Sequence, residues 1–145
     1  MTRFRLAAGR SGMLAVALLI ATGALASAVD GFPFDQNLLL DAPPIGRGKR
    51  MPMLNVGPNG GATIDLWCKS VAARVELSDD TIAIQTEPLP EALPAMMSRD
   101  QCTPQRIQAD SDLLNAITQA TSWRKQGSGV MLTGPQTLKF RLSDH

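Results

Sequence analysis

Ala62-Thr63-Ile64-Asp65-Leu66-Trp67-Cys68-Lys69 runs directly into Ser70-Val71-Ala72-Ala73-Arg74-Val75-Glu76-Leu77. In the first half Ala62, Ile64, Leu66 and Cys68 alternate with Thr63, Asp65, Trp67 and Lys69; in the second, Val71, Ala73, Val75 and Leu77 alternate with Ala72, Arg74, Glu76 and Ser78. Successive side chains of a strand point to opposite faces, so a period of two gathers the apolar row on one buried face. Past the turn pair Asp79-Asp80, Ile82 and Ile84 alternate with Thr81, Ala83 and Gln85. Three such segments with short turns predict an antiparallel meander with one face in water.

Working upstream, Gly57-Pro58-Asn59-Gly60-Gly61 is turn chemistry, and Asn-Gly is a strong hairpin signal. Met51–Val56 is a candidate edge strand, because Pro52 has no N–H to give a ladder. Asn37–Ala42 is a short strand stopped by Pro43-Pro44, and Val29–Gln36 an extended lead-in. Ile45–Arg50 is a basic loop. Downstream, Glu87–Pro94 carries three prolines and reads as a surface loop. A helix is expected from about Ser111 to Thr121, capped by Asp110 or Ser111, with Leu113, Leu114 and Ile117 on one face. Trp123–Gln126 and Val130–Leu132 form strands joined through Gly127-Ser128-Gly129, and Thr137–Leu142 is the last strand. The expected fold class is α+β: an antiparallel, twisted, barrel-like sheet with one α-helix.

The 145-residue chain has a formal net charge of +1, distributed unevenly. Residues 1–28 hold Arg3, Arg5 and Arg10 and no acid; the rest hold 11 basic and 13 acidic residues. The arginines precede the apolar run Met13–Ala21, and Ala26-Ser27-Ala28 puts small residues where a signal peptidase needs them. That is the layout of a secretory signal peptide cut after Ala28. The alternative, a retained anchor, is disfavoured by the 16 residues from Met13 to Ala28, since a span takes about 20 apolar residues. The expected organisation is a signal peptide over 1–28, an N-terminal extended segment with the first strands over 29–58, and a core over 59–145, the last two forming one domain. Once the leader is removed, no stable membrane insertion is expected. The weakly acidic remainder has no clustered cations of the kind a nucleic-acid binder uses to displace counterions, so no nucleic acid is expected.

Export changes the meaning of Cys68 and Cys102, the only cysteines. An oxidising compartment lets two thiols pair, and a structural disulfide is the favoured reading over buried free thiols. A reactive dithiol prefers Cys-x-x-Cys, and zinc would require further ligands that one terminal histidine does not supply.

Two blocks together resemble a known family. One is Asn59-Gly60-Gly61-Ala62-Thr63-Ile64-Asp65-Leu66-Trp67-Cys68 with the meander to Ile84. The other is Gln101-Cys102-Thr103-Pro104, the helix, Trp123-Arg124, Val130–Gly134 and Leu138–Leu142. They are similar to the META domain family, which includes the HslJ-like heat-shock-induced envelope proteins of bacteria. The likeness covers roughly Asn59 to Ser143. Where the family pattern has glycine, cysteine and asparagine, this chain has Trp67, Cys68 and Lys69. The resemblance implies an open, twisted barrel-like sheet with a helix, working in the bacterial envelope, and brings no catalytic residues with it.

No catalytic residue, metal site or cofactor is expected. His145, the last residue, is the only histidine, there is no tyrosine, and a chain terminus is a poor place for a preorganised base. Asp79-Asp80 reads as a turn, and Asp110 and Asp112 as complements to a helix N-terminus. The candidate binding surface is Trp67, Trp123 and Arg124: tryptophan beside a cation anchors partners well when exposed, the alternative being that both rings pack inside. Met51, Met53, Met96, Met97 and Met131 are candidates to line an apolar groove or to fill the core. The leading expectation is a non-enzymatic, monomeric envelope protein that binds another envelope component and supports stress tolerance. A second is a carrier or pilotin-like chaperone holding a lipid or apolar peptide in a groove. A third is an enzyme inhibitor acting through Glu87–Pro94 or Ile45–Arg50. A continuous cavity would favour the carrier, and a filled barrel with an exposed tryptophan would favour the binding module.

Overall fold

The computed structural model describes residues 31–46, 50–93 and 101–143. The expected signal peptide and its cleavage residues Ala26 and Ala28 lie outside them. Eight strands form one antiparallel sheet: β1 Leu38–Leu40, β2 Met53–Val56, β3 Gly61–Asp65, β4 Ser70–Leu77, β5 Ile82–Thr86, β6 Ser122–Gln126, β7 Gly129–Thr133 and β8 Thr137–Leu142. One helix, α1 Pro104–Thr118, connects β5 to β6 among the described residues. The sheet order is β5-β4-β3-β2-β1-β8-β7-β6. Two meanders are therefore joined where β1 pairs with β8, through Leu38↔Leu142 and Leu40↔Phe140.

The outermost strands curl round until their ends meet. Thr81 bridges Ser122, the Ile82 amide donates to the Thr121 carbonyl at 3.0 Å, and the Trp123 amide to the Asp80 carbonyl at 3.0 Å. The barrel is nearly closed, and its inward rows supply the core: Leu54, Ile64, Val75, Ile84, Leu132 and Phe140 are all buried. Leu113 and Ile117 enter the same core from α1. Phe32, from the extended lead-in, joins it with its ring edge-on to Trp123 at 5.2 Å.

The meander read from the period of two is present, with strands at the expected places. The Asn59-Gly60 turn opens it. Gly60 sits at φ +89°, and a Cβ there would stand 2.7 Å from the Val75 carbonyl oxygen, so only glycine fits. Met53–Val56 is not an edge strand; it pairs with β1 on one side and β3 on the other. Pro52 lies just before the strand, where its missing N–H costs nothing and its carbonyl still accepts from the Leu40 amide at 2.9 Å.

The helix starts seven residues earlier than expected, at Pro104, and stops at Thr118 instead of Thr121. Thr103 is the cap: its hydroxyl accepts from the Arg106 amide at 3.2 Å, and Pro104 occupies the first turn, where a missing N–H is harmless. Neither Asp110 nor Ser111 caps anything; both are in the helix interior. Thr103→Ala is expected to lower stability by about 1 kcal/mol. The measurement is a reduced urea midpoint at unchanged slope.

Candidate functional site

The alternation of Ala62 to Cys68 breaks at Asp65. Leu66 and Lys69 close a tight hairpin, the Leu66 amide donating to the Lys69 carbonyl at 2.7 Å, with Trp67-Cys68 at its tip. Leu66, Trp67 and Cys68 are all buried. A hairpin tip ordinarily stays at the surface because water satisfies its backbone. Here side chains replace water. Asp110 accepts from the amides of Cys68 at 3.0 Å and Lys69 at 2.9 Å. Arg106 donates to the Trp67 carbonyl at 2.7 Å, and Arg50 to the carbonyls of Leu66 at 3.0 Å and Lys69 at 3.2 Å. Cys102, just ahead of the helix, bonds covalently to Cys68, with Cα atoms 5.0 Å apart. The disulfide expected from export is present.

Arg106 and Asp110 lie one turn apart on the inner face of α1, so a single helix face presents both a donor and an acceptor to the tip. Asp110 is fully buried, and that burial pushes its carboxyl above the ordinary 3.8; the tip amides and the Lys69 charge pull the other way and lose. Arg106 is 2% exposed, and its Nε has no partner. With both thiols consumed and both Asp110 oxygens engaged, this cluster holds the fold together and presents nothing to a ligand.

The expected tryptophan surface is not exposed. Trp67 and Trp123 are each 5% exposed. Trp67 lies at the clamped tip, and Trp123 packs against Phe32 while its indole N–H donates to the Ser78 carbonyl at 2.9 Å. The near closure of the sheet turns Trp123 inward and satisfies its polar edge, and the clamp from α1 buries Trp67. Arg124 alone of the three reaches solvent, with Nη2 3.8 Å from the Met131 sulfur. The methionine groove is not assembled either: Met131 is buried, Met51 and Met53 are half-buried, and Met96 and Met97 lie outside the described residues. Of the two loops considered for inhibition, Arg50 is fastened to the hairpin tip and Leu89 packs against the core, while Leu93 is 63% exposed. Residues 47–49 and Pro94 lie outside the described residues.

Asp79 and Asp80 sit exposed at the β4–β5 turn, as expected. Depressions in the described surface lie on the outside of the sheet. One of about 380 Å³ runs along β4–β5 by Arg74, Gln85 and Glu87, and another of about 230 Å³ lies on β8 between Lys139, Arg141, Gln126 and Asp41. The second belongs to a feature the linear sequence hides. Residues 113–143 contain Arg124, Lys125, Lys139 and Arg141 and no acid, whereas residues 61–86 carry Asp65, Glu76, Asp79 and Asp80 against Lys69 and Arg74. The β6–β8 meander is thus cationic, whereas the segment from β3 to β5 is weakly acidic. The cations are scattered as singles and one pair, and only strand pairing gathers them; the signal available in advance was the 31-residue stretch without a carboxylate. No family model, no curated protein and no solved structure matches this chain.

Proposed function

We propose that this chain is a non-enzymatic module of the cell envelope, built on the META pattern, that works by binding at its outer surface and supports envelope integrity under stress. The observation that carries the reading is the filled interior. Inward rows from all eight strands, α1 and Phe32 occupy the space a carrier would keep for its cargo, and the described depressions lie outside. The paired Cys68 and Cys102 suit an oxidising compartment. The order of elements, with the second cysteine just before the helix and strands β6 to β8 after it, supports the META resemblance.

The test follows the full chain in cells. The exported form is expected to begin at Val29, to fractionate with the periplasm, and to show by non-reducing mass spectrometry a two-hydrogen deficit, with Cys68 and Cys102 peptides linked. Native mass spectrometry of the same material is expected to give the bare polypeptide mass. A reduced chain retained in the cytoplasm would overturn the envelope assignment, and a co-purified lipid or peptide adduct would replace binding at the surface with the carrier reading.

A further inference from the structure

We propose that the outer face of β6–β7–β8 is a docking surface for an anionic lipid bilayer. This deepens the binding reading above, on which it rests, by naming the partner's chemistry.

Register places the cations together. Arg124 pairs with Met131, and Met131 with Lys139, so these three form one row across the strands; Arg141 is two residues beyond Lys139 on the same face. Directly bonded neighbours lie about 5 Å apart laterally and next-but-one residues about 7 Å apart along a strand, which sets Arg124, Lys139 and Arg141 within roughly 12 Å of one another. All three are exposed. Lys125 is also exposed, but it has the opposite parity, paired with the buried Val130, and is not part of this row. Among the described residues the one ion pair is Arg50 with Asp65, three strands from Arg141 along the row Arg141–Leu39–Met53–Asp65. Asp41 lines the same depression as Lys139 and Arg141, and among the described residues it makes no ion pair there. Like charges gathered on one sheet face repel, and no ion pair among the described residues offsets them.

The kind of partner follows from what accompanies the charge. The face has no aromatic side chain, since both tryptophans are inside, so it lacks the anchors of a protein hot spot and the stacking platforms of a single-stranded nucleic-acid site. It is a convex sheet with no helix to enter a groove. Between Arg124 and Lys139 lies Met131, its sulfur 3.8 Å from the Arg124 guanidinium, and beyond Arg141 the row continues through the half-buried Leu39 and Met53. A fluid array of phosphate headgroups asks for positive charge and tolerates an unshaped surface, and it is the partner such a face fits. The depression at Lys139, Arg141 and Gln126 is large enough for one headgroup phosphate.

The chain from Val29 is the main material, because the leader's arginines and apolar run would bind vesicles themselves and every described contact lies within 31–143; the full chain is measured alongside. Sedimentation with phosphatidylglycerol-containing vesicles is expected at low salt and lost at high salt, where screening shortens to a few ångströms, with no binding to phosphatidylcholine alone. At about fivefold per cation, Arg124→Gln with Lys139→Gln and Arg141→Gln is expected to weaken partition about a hundredfold. Arg74→Glu with Thr63→Glu, which removes the same net charge from the other meander, should weaken it by no more than a few-fold. Equal losses in the two variants, equal binding to neutral vesicles, or tighter binding to soluble polyglutamate than to the vesicles would each overturn the proposal. Failure here leaves the export, processing and bare-mass results untouched, so the two readings fall separately.

Discussion

Replacing Cys68 with Ala is expected to lower the melting temperature by more than about ten degrees. The bond spans a sequence separation of 34, and closing a loop of that size removes about 4 kcal/mol of freedom from the unfolded chain. A domain of this length shifts by roughly 3–6 °C per kcal/mol. The site adds to this, because Cys68 is at a buried hairpin tip restrained also by Arg106 and Asp110, from the helix that follows Cys102, and by Arg50. Loosening one restraint loosens the rest, so the combined loss with Asp110→Asn should be smaller than the sum of the two single losses. Thermal unfolding followed by circular dichroism is the measurement, with Cys68→Ala plus Cys102→Ala as the control against mispairing. A shift of a degree or less would mean that Arg50, Arg106 and Asp110 hold the tip unaided.

Asp110→Asn should itself cost about 1–3 kcal/mol at neutral pH. The carboxylate accepts from two buried amides through both oxygens; an amide side chain offers one oxygen and turns an N–H₂ towards the other donor. Acidity supplies a second readout. Burial holds the folded carboxyl above its ordinary 3.8, so between that value and the folded one the native state binds more protons than the unfolded state. The group's contribution is complete below the unfolded value and is lost as pH rises through the folded one. The stability gap between the native chain and Asp110→Asn is therefore expected to widen as the solution is acidified through that window. Chemical denaturation at several pH values measures it; a gap that narrows in acid would show the amides and Lys69 outweighing desolvation.

The sheet was legible because half-buried strands announce themselves: Ile64, Val71, Val75, Ile82 and Ile84 fall on one parity, and no other regular structure keeps that pattern. The hairpin tip was not legible. Trp67-Cys68 carries none of the glycine, asparagine or proline that marks a turn, and what permits a turn there is a clamp from residues some forty positions away. The same remoteness hid the role of Asp110. Near a helix start an aspartate looks like a cap, yet Thr103-Pro104 was the stronger local signal, and Asp110 answers to a partner on another element. The inward Trp123 was decided by near closure of the sheet, a property of Thr81 meeting Ser122 and of no local pattern, and the inward Trp67 by the clamp on its hairpin tip. The gathering of Arg124, Lys139 and Arg141 was not legible either, because strand register and not sequence order brings them together.

The three residues of β1 are the only strand holding the two meanders edge to edge on that side of the sheet. Leu38–Leu40 is made among the first described residues, and its mate in β8 among the last. A polypeptide delivered N-terminus first must therefore leave one edge of this oily tripeptide unpaired until β8, about a hundred residues downstream, has emerged, and chains interrupted before β8 would expose a ready template for self-association. The architecture is thus intolerant of early release, however stable the finished molecule.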